Sequence, residues 1–447
     1  MIRPDLIIGS QRIVTPRGLC SGAIHIKDGT ILGVFDREPI PECPFDDVEG
    51  AVVLPGLVDS HVHVNEPGRT EWEGFESATR AAGAGGVTTI VDMPLNSIPP
   101  TTTLAAFVSK WRAAEGKCFV DVGFWGGVIP GNASALGPLL KGGVLGFKCF
   151  LVPSGVDEFP AVSEPDLRSA MPLLADIGAT LLVHAELPGP LQAAAVPRQS
   201  RSYADYLNSR PRAAENEAIA LLIRLCGEYG VRVHIVHLSS SDALPMIEDA
   251  RARGLPLTVE TCPHYVYFAA DDIPDGATEF KCAPPIRELE NQQRLWEALG
   301  NGLIDAVVSD HSPSPPAMKA VESGDFMTAW GGIASLQLGL SVMWTAARAR
   351  GYSLGHLARW MSGAPARLAG VDRRKGAIDA GFDADLTVFD PEAELTVDPA
   401  ELFHRHPLTP YRGRRLQGIV TRTYLRGKKI YERGSAFGPP TGALLLS

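Results

Sequence analysis

The sequence lacks three features that would each define a class of protein. It contains no uninterrupted apolar run of about 18 residues, which a membrane-spanning helix requires, and its first residues lack the apolar core of an export signal. It also contains no block of five or more like charges, and its net charge is −10. A nucleic-acid-binding surface needs clustered positive charge. We therefore predict a soluble protein whose partners include neither nucleic acid nor membrane.

The sequence also lacks paired cysteines. Its seven cysteines are odd in number and scattered, and no two of them form a C-x-x-C pair. Disulfide-stapled secreted domains carry a dense, even set, whereas zinc ribbons and redox motifs carry close pairs. The pattern favours thiols that are kept reduced, and we predict a cytoplasmic location.

Glycine and proline are plentiful, with 46 and 36 copies in 447 residues, but they follow no Gly-x-y period. This excludes a fibrous protein and indicates many short elements joined by tight turns. Because 45% of the residues are hydrophobic, the chain can bury a large core. The length suits one large domain with a smaller companion, or two to three modest domains.

The two ends of the chain have the pattern of β-strands. Near the N-terminus, "AIHIKDGTILGVF" alternates apolar and polar residues around Asp28-Gly29, a dipeptide suited to a two-residue hairpin turn. Near the C-terminus, "ADLTVFD" and "GIVTRTYLRGKKIYERG" have the same character. From about residue 53 to 364 the pattern changes to short β-rich runs that alternate with longer Ala/Leu-rich stretches. Such alternation predicts a parallel sheet with crossover helices.

Eight short apolar runs occur in this central region. They are residues 52–58, 87–92, 119–125, 144–150, 179–184, 231–237, 257–260 and 304–309. Eight β/α units predict an α/β fold of the (β/α)8 TIM-barrel type, which takes about 250 residues and grows by insertion. The Gly-rich "AAGAGGVTT" precedes a strand and lacks the dinucleotide-binding fingerprint, so we set a Rossmann fold aside.

Residues with metal-binding chemistry follow these runs, at the barrel face where such folds keep their active sites. His61 and His63 are two residues apart, so in extended backbone both imidazoles project to one face and can bind one ion. His184, His237 and Asp310 end the fifth, sixth and eighth runs. Each residue alone has an ordinary explanation, such as a helix cap for an aspartate. Their joint placement on one rim predicts a two-metal hydrolytic site.

Lys148 lies in the fourth apolar run and has a special place in this set. A lysine at a strand end usually extends its amine to solvent. A buried cation beside metal ions would be repelled, whereas a neutral amine can add carbon dioxide and become a carbamate whose two oxygens bridge two ions. His234 lies three residues before His237, which points it to the opposite face, and we interpret it as a packing residue.

Longer motifs carry a resemblance to a known family. They include "GLVDSHVHVNEPGRTEWEGFESATRAAGAGGVTTIVDMPLNSIPPTTT", "GFKCFLVPSGVDEFP", "TCPHYVYF", "KCAPPIRE", "VSDHSPSPP" and "KGAIDAGFDADLTVFD". With these motifs the chain resembles the cyclic amidohydrolases of the amidohydrolase superfamily, and within them most closely the allantoinase family. The resemblance implies a TIM barrel over residues 53–364 and a small β-sandwich domain built from residues 1–52 and 365–447.

The resemblance also implies a ligand set. His61, His63, Lys148 and Asp310 would hold the more buried ion, and the Lys148 carbamate (N6-carboxylysine), His184 and His237 would hold the second. Relatives commonly use zinc, and iron, cobalt or manganese also occur. The family further implies a homotetramer or a homodimer, and Asp310 would be the catalytic acid and base.

The substrate implied is allantoin, whose hydantoin ring would be opened to allantoate in purine breakdown. Dihydroorotases typically carry Arg where this chain has Asn65, and Asn where it has Ala283. Without that guanidinium, the loop has no obvious partner for a substrate carboxylate. A hydantoinase, a dihydropyrimidinase or a dihydroorotase remains an alternative, as does a non-catalytic scaffold relative, which would hold no stoichiometric metal.

Further residues near the run ends are candidate substrate contacts. We expect these to be Asn96, His264, Ala283, Trp330 and Gly332. His311 would orient Asp310, and Ser314 stands where many relatives have Cys. We expect the remaining histidines to lie at the surface, namely His25, His356, His404 and His406.

Overall fold

A computed structural model describes residues 2–195 and 197–447, and it contains seventeen strands within that part of the chain. They are β1 (Leu6–Thr15), β2 (Gly18–Lys27), β3 (Thr30–Phe35), β4 (Phe45–Asp47), β5 (Val52–Pro55), β6 (Leu57–Val62), β7 (Val87–Asp92), β8 (Asp121–Phe124), β9 (Gly126–Gly127), β10 (Phe147–Phe150), β11 (Thr180–His184), β12 (Arg232–Ile235), β13 (Leu257–Thr261), β14 (Ala306–Val307), β15 (Leu386–Thr396), β16 (Arg415–Leu425) and β17 (Lys428–Glu432).

The α-helices lie mostly between the central strands. They are α1 (Phe75–Ala84), α2 (Leu104–Ala114), α3 (Leu136–Gly142), α4 (Glu164–Asp176), α5 (Pro188–Ala193), α6 (Tyr203–Ser209), α7 (Arg212–Tyr229), α8 (Leu244–Ala252), α9 (Pro263–Tyr267), α10 (Leu289–Asn301), α11 (Gly339–Arg348), α12 (Leu354–Ala358) and α13 (Ala364–Leu368). A π-helical turn at Arg359–Gly363 joins the last two. Among the described residues, none of these helices combines the length and apolarity needed to cross a membrane.

The central strands form the predicted (β/α)8 barrel. Parallel pairing runs from β6 through β7 to β8, and from β9 through β10, β11, β12 and β13 to β14. The third barrel strand is divided at Trp125, so that β8 pairs with β7 while β9 pairs with β10. A parallel bridge between Val62 and His311 brings the first and last strands together. The ends of all eight strands therefore meet on one face.

The first apolar run is not one strand, which corrects our reading of residues 52–58. Residues of β5 pair with β1 and β15 in the terminal sheet, whereas β6 begins the barrel. The two parts meet at Gly56, where a Cβ would lie 2.3 Å from Thr88 Oγ1. The chain can thus pass from one sheet to the other only where the residue has no side chain. As a consequence His61 lies within the first barrel strand and not after it.

The strands of both termini form one continuous eight-stranded sheet, with the order β17-β16-β15-β5-β1-β2-β3 and with β4 paired to β1. An apolar cluster that includes Ile24, Val53 and Leu386 packs on it. Buried Lys375 ties this sheet to the barrel, because its Nζ lies 2.6 Å from Asp385 and 2.7 Å from Asp121 at the start of β8. The exact division of the chain into two domains stays a prediction.

Helix α4 illustrates how sequence sets the outer layer of the barrel. Ser163 accepts a hydrogen bond from the Asp166 amide, and the Asp166 side chain accepts one from Ser163, which forms a capping box. Leu167, Met171 and Leu174 recur at helical spacing and are buried. The helix therefore begins at a capped terminus and places one apolar face on the barrel.

Candidate active site

A cavity of about 360 Å³ opens at the C-terminal ends of the barrel strands. His61, His63, His184, His237 and Asp310 line its floor. All five residues were singled out from the sequence, and the barrel brings them together from four different strands or strand ends. The cavity is the place where a TIM barrel carries its chemistry.

His61 and His63 face Asp310 across the seam where the first and last barrel strands meet. Asp310 Oδ1 lies 3.1 Å from His61 Nε2 and 3.4 Å from His63 Nε2, and the three residues form a group able to hold a metal ion. Buried Asp59 fixes this seam, because it accepts hydrogen bonds from the main-chain amides of His61 and Ser309. The two imidazole nitrogens and the carboxylate oxygen therefore converge on one point, where they can bind an ion without any rearrangement of the backbone.

His184 and His237 form the second half of the site. His184 Nδ1 lies 3.0 Å from His237 Nε2, and the His184 ring stacks on Phe150 at 4.6 Å between centroids. Burial lowers the pKa of both rings, so both are neutral near pH 7. A neutral imidazole keeps a lone pair on one nitrogen, which is the form that binds a metal ion.

Lys148 lies on β10, near His63, His184 and His237. Its side chain is fully buried, its Nζ lies 4.9 Å from the centre of the Phe150 ring, and the Nζ has no hydrogen-bond partner among the described residues. Burial lowers the pKa of Lys148 to about 8. An unpartnered ammonium in such a place is costly, so a larger share of this amine is neutral than for a lysine in solvent.

Two buried carboxylates that the sequence analysis missed orient the histidines. Glu260 accepts from His61 Nδ1 at 2.6 Å and from His234 Nε2 at 3.0 Å. Glu186 accepts from His184 Nε2 at 2.7 Å and also pairs with Arg210. Each carboxylate fixes the tautomer whose second nitrogen faces the cavity. The sequence did carry a signal for these two carboxylates. Glu260 is an acidic residue within an apolar run, "LTVET", and Glu186 lies two residues after a predicted ligand, in "HAE".

The electrostatics of the floor favour an ionised Asp310. Burial opposes ionisation of Asp310, but the neighbouring His61 and His63 outweigh it and hold the pKa of Asp310 well below its usual range. Burial lowers the pKa of His63 to about 4. An ionised carboxylate and several imidazole nitrogens thus face one another, which is a ligand set suited to a divalent ion such as zinc.

Four residues around the floor have left-handed backbone conformations. They are Asn65 (φ 66°), Asn96 (φ 66°), His237 (φ 40°) and Asp310 (φ 45°). Asparagine, aspartate and histidine enter this region more often than other non-glycine residues, but each still costs of order 1 kcal/mol or more there. Such residues persist where the surrounding structure aims a side chain at a functional point. Here the strained turns at the ends of β12 and β14 direct His237 and Asp310 into the cavity.

Four of the five predicted substrate contacts line the cavity, namely Asn96, Ala283, Trp330 and Gly332. His264 does not line it: the ring is fully buried beside Cys262 and Asp310, and neither ring nitrogen has a partner among the described residues. A direct contact between any of these residues and a substrate stays a prediction.

Two predictions about other histidines are wrong. The His311 ring accepts a hydrogen bond from the Ser335 amide at Nδ1 and lies near Glu73, so it is turned toward the helix layer and does not orient Asp310. His404 is not at the surface, because it is 5% exposed and packs on His311 with ring centres 4.8 Å apart. Aromatic packing between the barrel and the C-terminal segment buries both rings.

Comparison with known proteins gives this geometry a context. The profile of the Amidohydrolase family matches residues 52–430, and that of the "Allantoinase, composite domain" matches residues 5–40. The chain is 52% identical to an allantoinase of Streptomyces avermitilis, over 99% of this chain and 98% of that protein. It is 46% identical to an allantoinase of Saccharomyces cerevisiae, over 94% of each.

Solved structures share the fold. An L-hydantoinase from Arthrobacter aurescens has a TM-score of 0.93 and 32% identity, covering 99% of this chain and all (100%) of that one. A D-hydantoinase from Thermus sp. has a TM-score of 0.89 and 26% identity, covering 99% and 98%. Both similarities span the terminal sheet as well as the barrel.

Proposed function

We propose that this chain, which belongs to the amidohydrolase family, hydrolyses the hydantoin ring amide of allantoin to give allantoate. The observation that carries the proposal is the convergence of four histidines and Asp310 on the floor of one cavity, with the buried Lys148 near three of those histidines. The similarity to allantoinases over nearly the whole chain supports the choice of ring.

The floor fits two divalent metal ions. We assign His61, His63, Lys148 and Asp310 to the more buried ion, and Lys148, His184 and His237 to the second, with zinc as the expected metal. The converging nitrogens and the orphaned Lys148 Nζ are the features that fit. When bound, such ions depress the pKa of water and polarise the scissile carbonyl.

We also propose that Lys148 is carboxylated. Its neutral amine would attack carbon dioxide, form an N–C bond and release one proton, which leaves an anionic carbamate. Burial without any carboxylate partner disfavours the ammonium at this place. The carbamate would convert the unpartnered amine of Lys148 into a ligand with two oxygens.

Asp310 is the residue we assign to proton transfer. Its Oδ1 lies within 3.4 Å of both His61 and His63, and Ser312 Oγ donates to the same oxygen at 2.9 Å. The carboxylate would accept the proton of the water that attacks the ring carbonyl. It would then deliver that proton to the ring nitrogen, which must gain a proton before it can leave.

The rim of the cavity supports a small, uncharged ring as the substrate. Asn65 occupies the loop position where a dihydroorotase would carry a guanidinium, and it is buried with both its amide atoms unpartnered among the described residues. Arg210, which reaches the cavity wall, is already paired with buried Glu186. Neither residue therefore offers a free cation to a substrate carboxylate, and the amine of Lys281, which also lines the cavity, is bonded to main-chain carbonyls.

The test is a substrate panel on purified, metal-replete protein. Allantoin, dihydroorotate, dihydrouracil and hydantoin are compared by kcat/KM, and metal is quantified on the same sample. We expect allantoin to be the best substrate and two ions per chain. Faster opening of dihydroorotate or dihydrouracil would overturn the substrate assignment, and a chain without stoichiometric metal would favour the scaffold alternative.

We further propose a cytoplasmic homotetramer or homodimer. The hydrophobic side chains of Leu19 (61% exposed) and Phe35 (48% exposed) on the terminal sheet support association of copies through that sheet. Light scattering of the native protein measures the mass directly. A monomer at micromolar concentration would contradict the proposal.

A further inference from the structure

One wall of the cavity consists of a single stretch of main chain. All six residues from 327 to 332, with the sequence "MTAWGG", line the cavity. We call this stretch the wall loop. Two lysines outside the metal-ligand set hold it, and the proposed function does not use them.

Lys281 and Lys319 bind the carbonyl groups of the wall loop. Lys281 Nζ donates to Met327 O at 3.3 Å and to Ala329 O at 2.6 Å. Lys319 Nζ donates to Trp330 O at 3.2 Å and also to Gly332 O. Four carbonyls within six residues are therefore directed at two amines.

These lysines lack the usual partners of buried cations. The hydrogen bonds of both amines go to main-chain carbonyls, and neither amine bonds a carboxylate among the described residues. Lys319 is 4% exposed, and burial lowers its pKa to about 7 and that of Lys281 to about 8. A buried lysine without a counter-ion is costly. The wall loop is therefore held by contacts that a simple apolar core would not contain.

Further contacts lock the same loop in place. Its Gly332 amide donates to Lys281 O at 2.8 Å, and its Trp330 amide donates to Met318 O at 2.7 Å. The Trp330 ring packs on Trp72 at 5.2 Å and lies so close to Gly155 that a Cβ there would be 2.7 Å away. Once the carbonyls are fixed, the loop has one position relative to the cavity floor.

We propose that Lys281 and Lys319 are positioning residues that fix the wall loop as the binding surface for the substrate ring. This inference rests on the proposed function for the identity of the ring. Lys319 is the decisive residue, because it does not line the cavity and so can affect a ligand only through the loop. Lys281 borders the cavity, so its effect alone would include direct contact.

The experiment compares Lys319→Met and Lys281→Met with the parent in the metal-replete protein. Lys281→Arg keeps a cation, and Lys141→Met is a control at an exposed lysine. We expect Lys319→Met and Lys281→Met, the two lysine-to-methionine variants, each to raise KM for allantoin about tenfold or more. The value of kcat should change less than about threefold, and metal content should be unchanged. Lys281→Arg should have a KM close to that of the parent, and Lys141→Met should match the parent.

Hydrogen–deuterium exchange of the peptide spanning residues 325–334 gives a second readout that needs no substrate. We expect faster exchange there in both Lys319→Met and Lys281→Met, and parent-like exchange in the barrel strands. A KM within twofold of the parent together with unchanged exchange in Lys319→Met would refute the proposal. A fall in kcat as large as the rise in KM, accompanied by loss of metal from the variant, would also refute it.

If Lys319→Met does not fold, the exchange of the 325–334 peptide in Lys281→Met decides, because exchange needs no substrate and a direct contact between Lys281 and the substrate cannot affect it; parent-like exchange there would refute the proposal. A parent that fails to open allantoin would overturn the proposed function alone, since the exchange result still tests whether the lysines hold the loop.

Discussion

Replacing Glu260 by Gln tests whether a buried carboxylate outside the ligand set controls the metal site. Glu260 is fully buried and accepts hydrogen bonds from His61 and His234. An amide of the same size has one acceptor oxygen and one donor group, so it cannot accept from both rings. Thr258 Oγ1 lies 2.7 Å from His234 Nδ1 and can donate or accept, so the His234 ring can change its tautomer.

The expected loss follows from this geometry. In Glu260→Gln the amide oxygen would keep the His61 bond while the amide nitrogen donates to His234, so the site keeps its shape and loses the negative charge that strengthens His61 as a ligand. Removal of such a partner typically costs 10- to 100-fold in metal affinity, or about 1.4 to 2.7 kcal/mol. Glu260→Leu removes the acceptor as well and should lose more.

The assay is metal affinity, measured by competition with a chelator of known affinity followed by metal analysis of the protein. Thr258→Val is the matched control, because Thr258 contacts the His234 ring and not His61. We expect it to stay within about threefold of the parent, a margin well below the 10- to 100-fold range. An affinity for Glu260→Gln that also stays within this margin would refute the idea that Glu260 tunes the site.

Four other outcomes are expected. Lys148→Ala should lose bound metal and most activity, and short carboxylic acids should partly restore both, whereas full metal content in the variant would contradict the carbamate. Asp310→Asn should lower kcat by about 10² to 10⁴, and near-parental turnover with both metals retained would contradict its acid–base role. Lys375→Met should lower the free energy of unfolding by about 3 kcal/mol or more in urea titrations, because it leaves the buried carboxylate of Asp385 without a cation, whereas Asp121 keeps Arg426 as a partner; a change below about 1 kcal/mol would argue against this. Exposed Cys20 should react first with a thiol reagent, and buried Cys149, whose pKa burial raises to about 12, should react only on unfolding.

Local periodicity was enough to place the barrel and most of its floor. Side chains alternate along a strand, so the two-residue spacing of His61 and His63 already requires that both side chains project to the same face. Parallel strands end on one face of the barrel, so His184, His237 and Asp310 were expected to meet there. The cavity contains all of them.

The sequence by itself determined which residues face the interior, because that depends on a period of two along each strand. It could not determine which interior residues become partners. His234 points away from His237 as its spacing requires, yet it acts on the site through Glu260 of the next strand. Lys281 meets Met327 across 46 residues of chain. Such contacts depend on how the strands close and how the loops pack over them, and only the tertiary structure decides that.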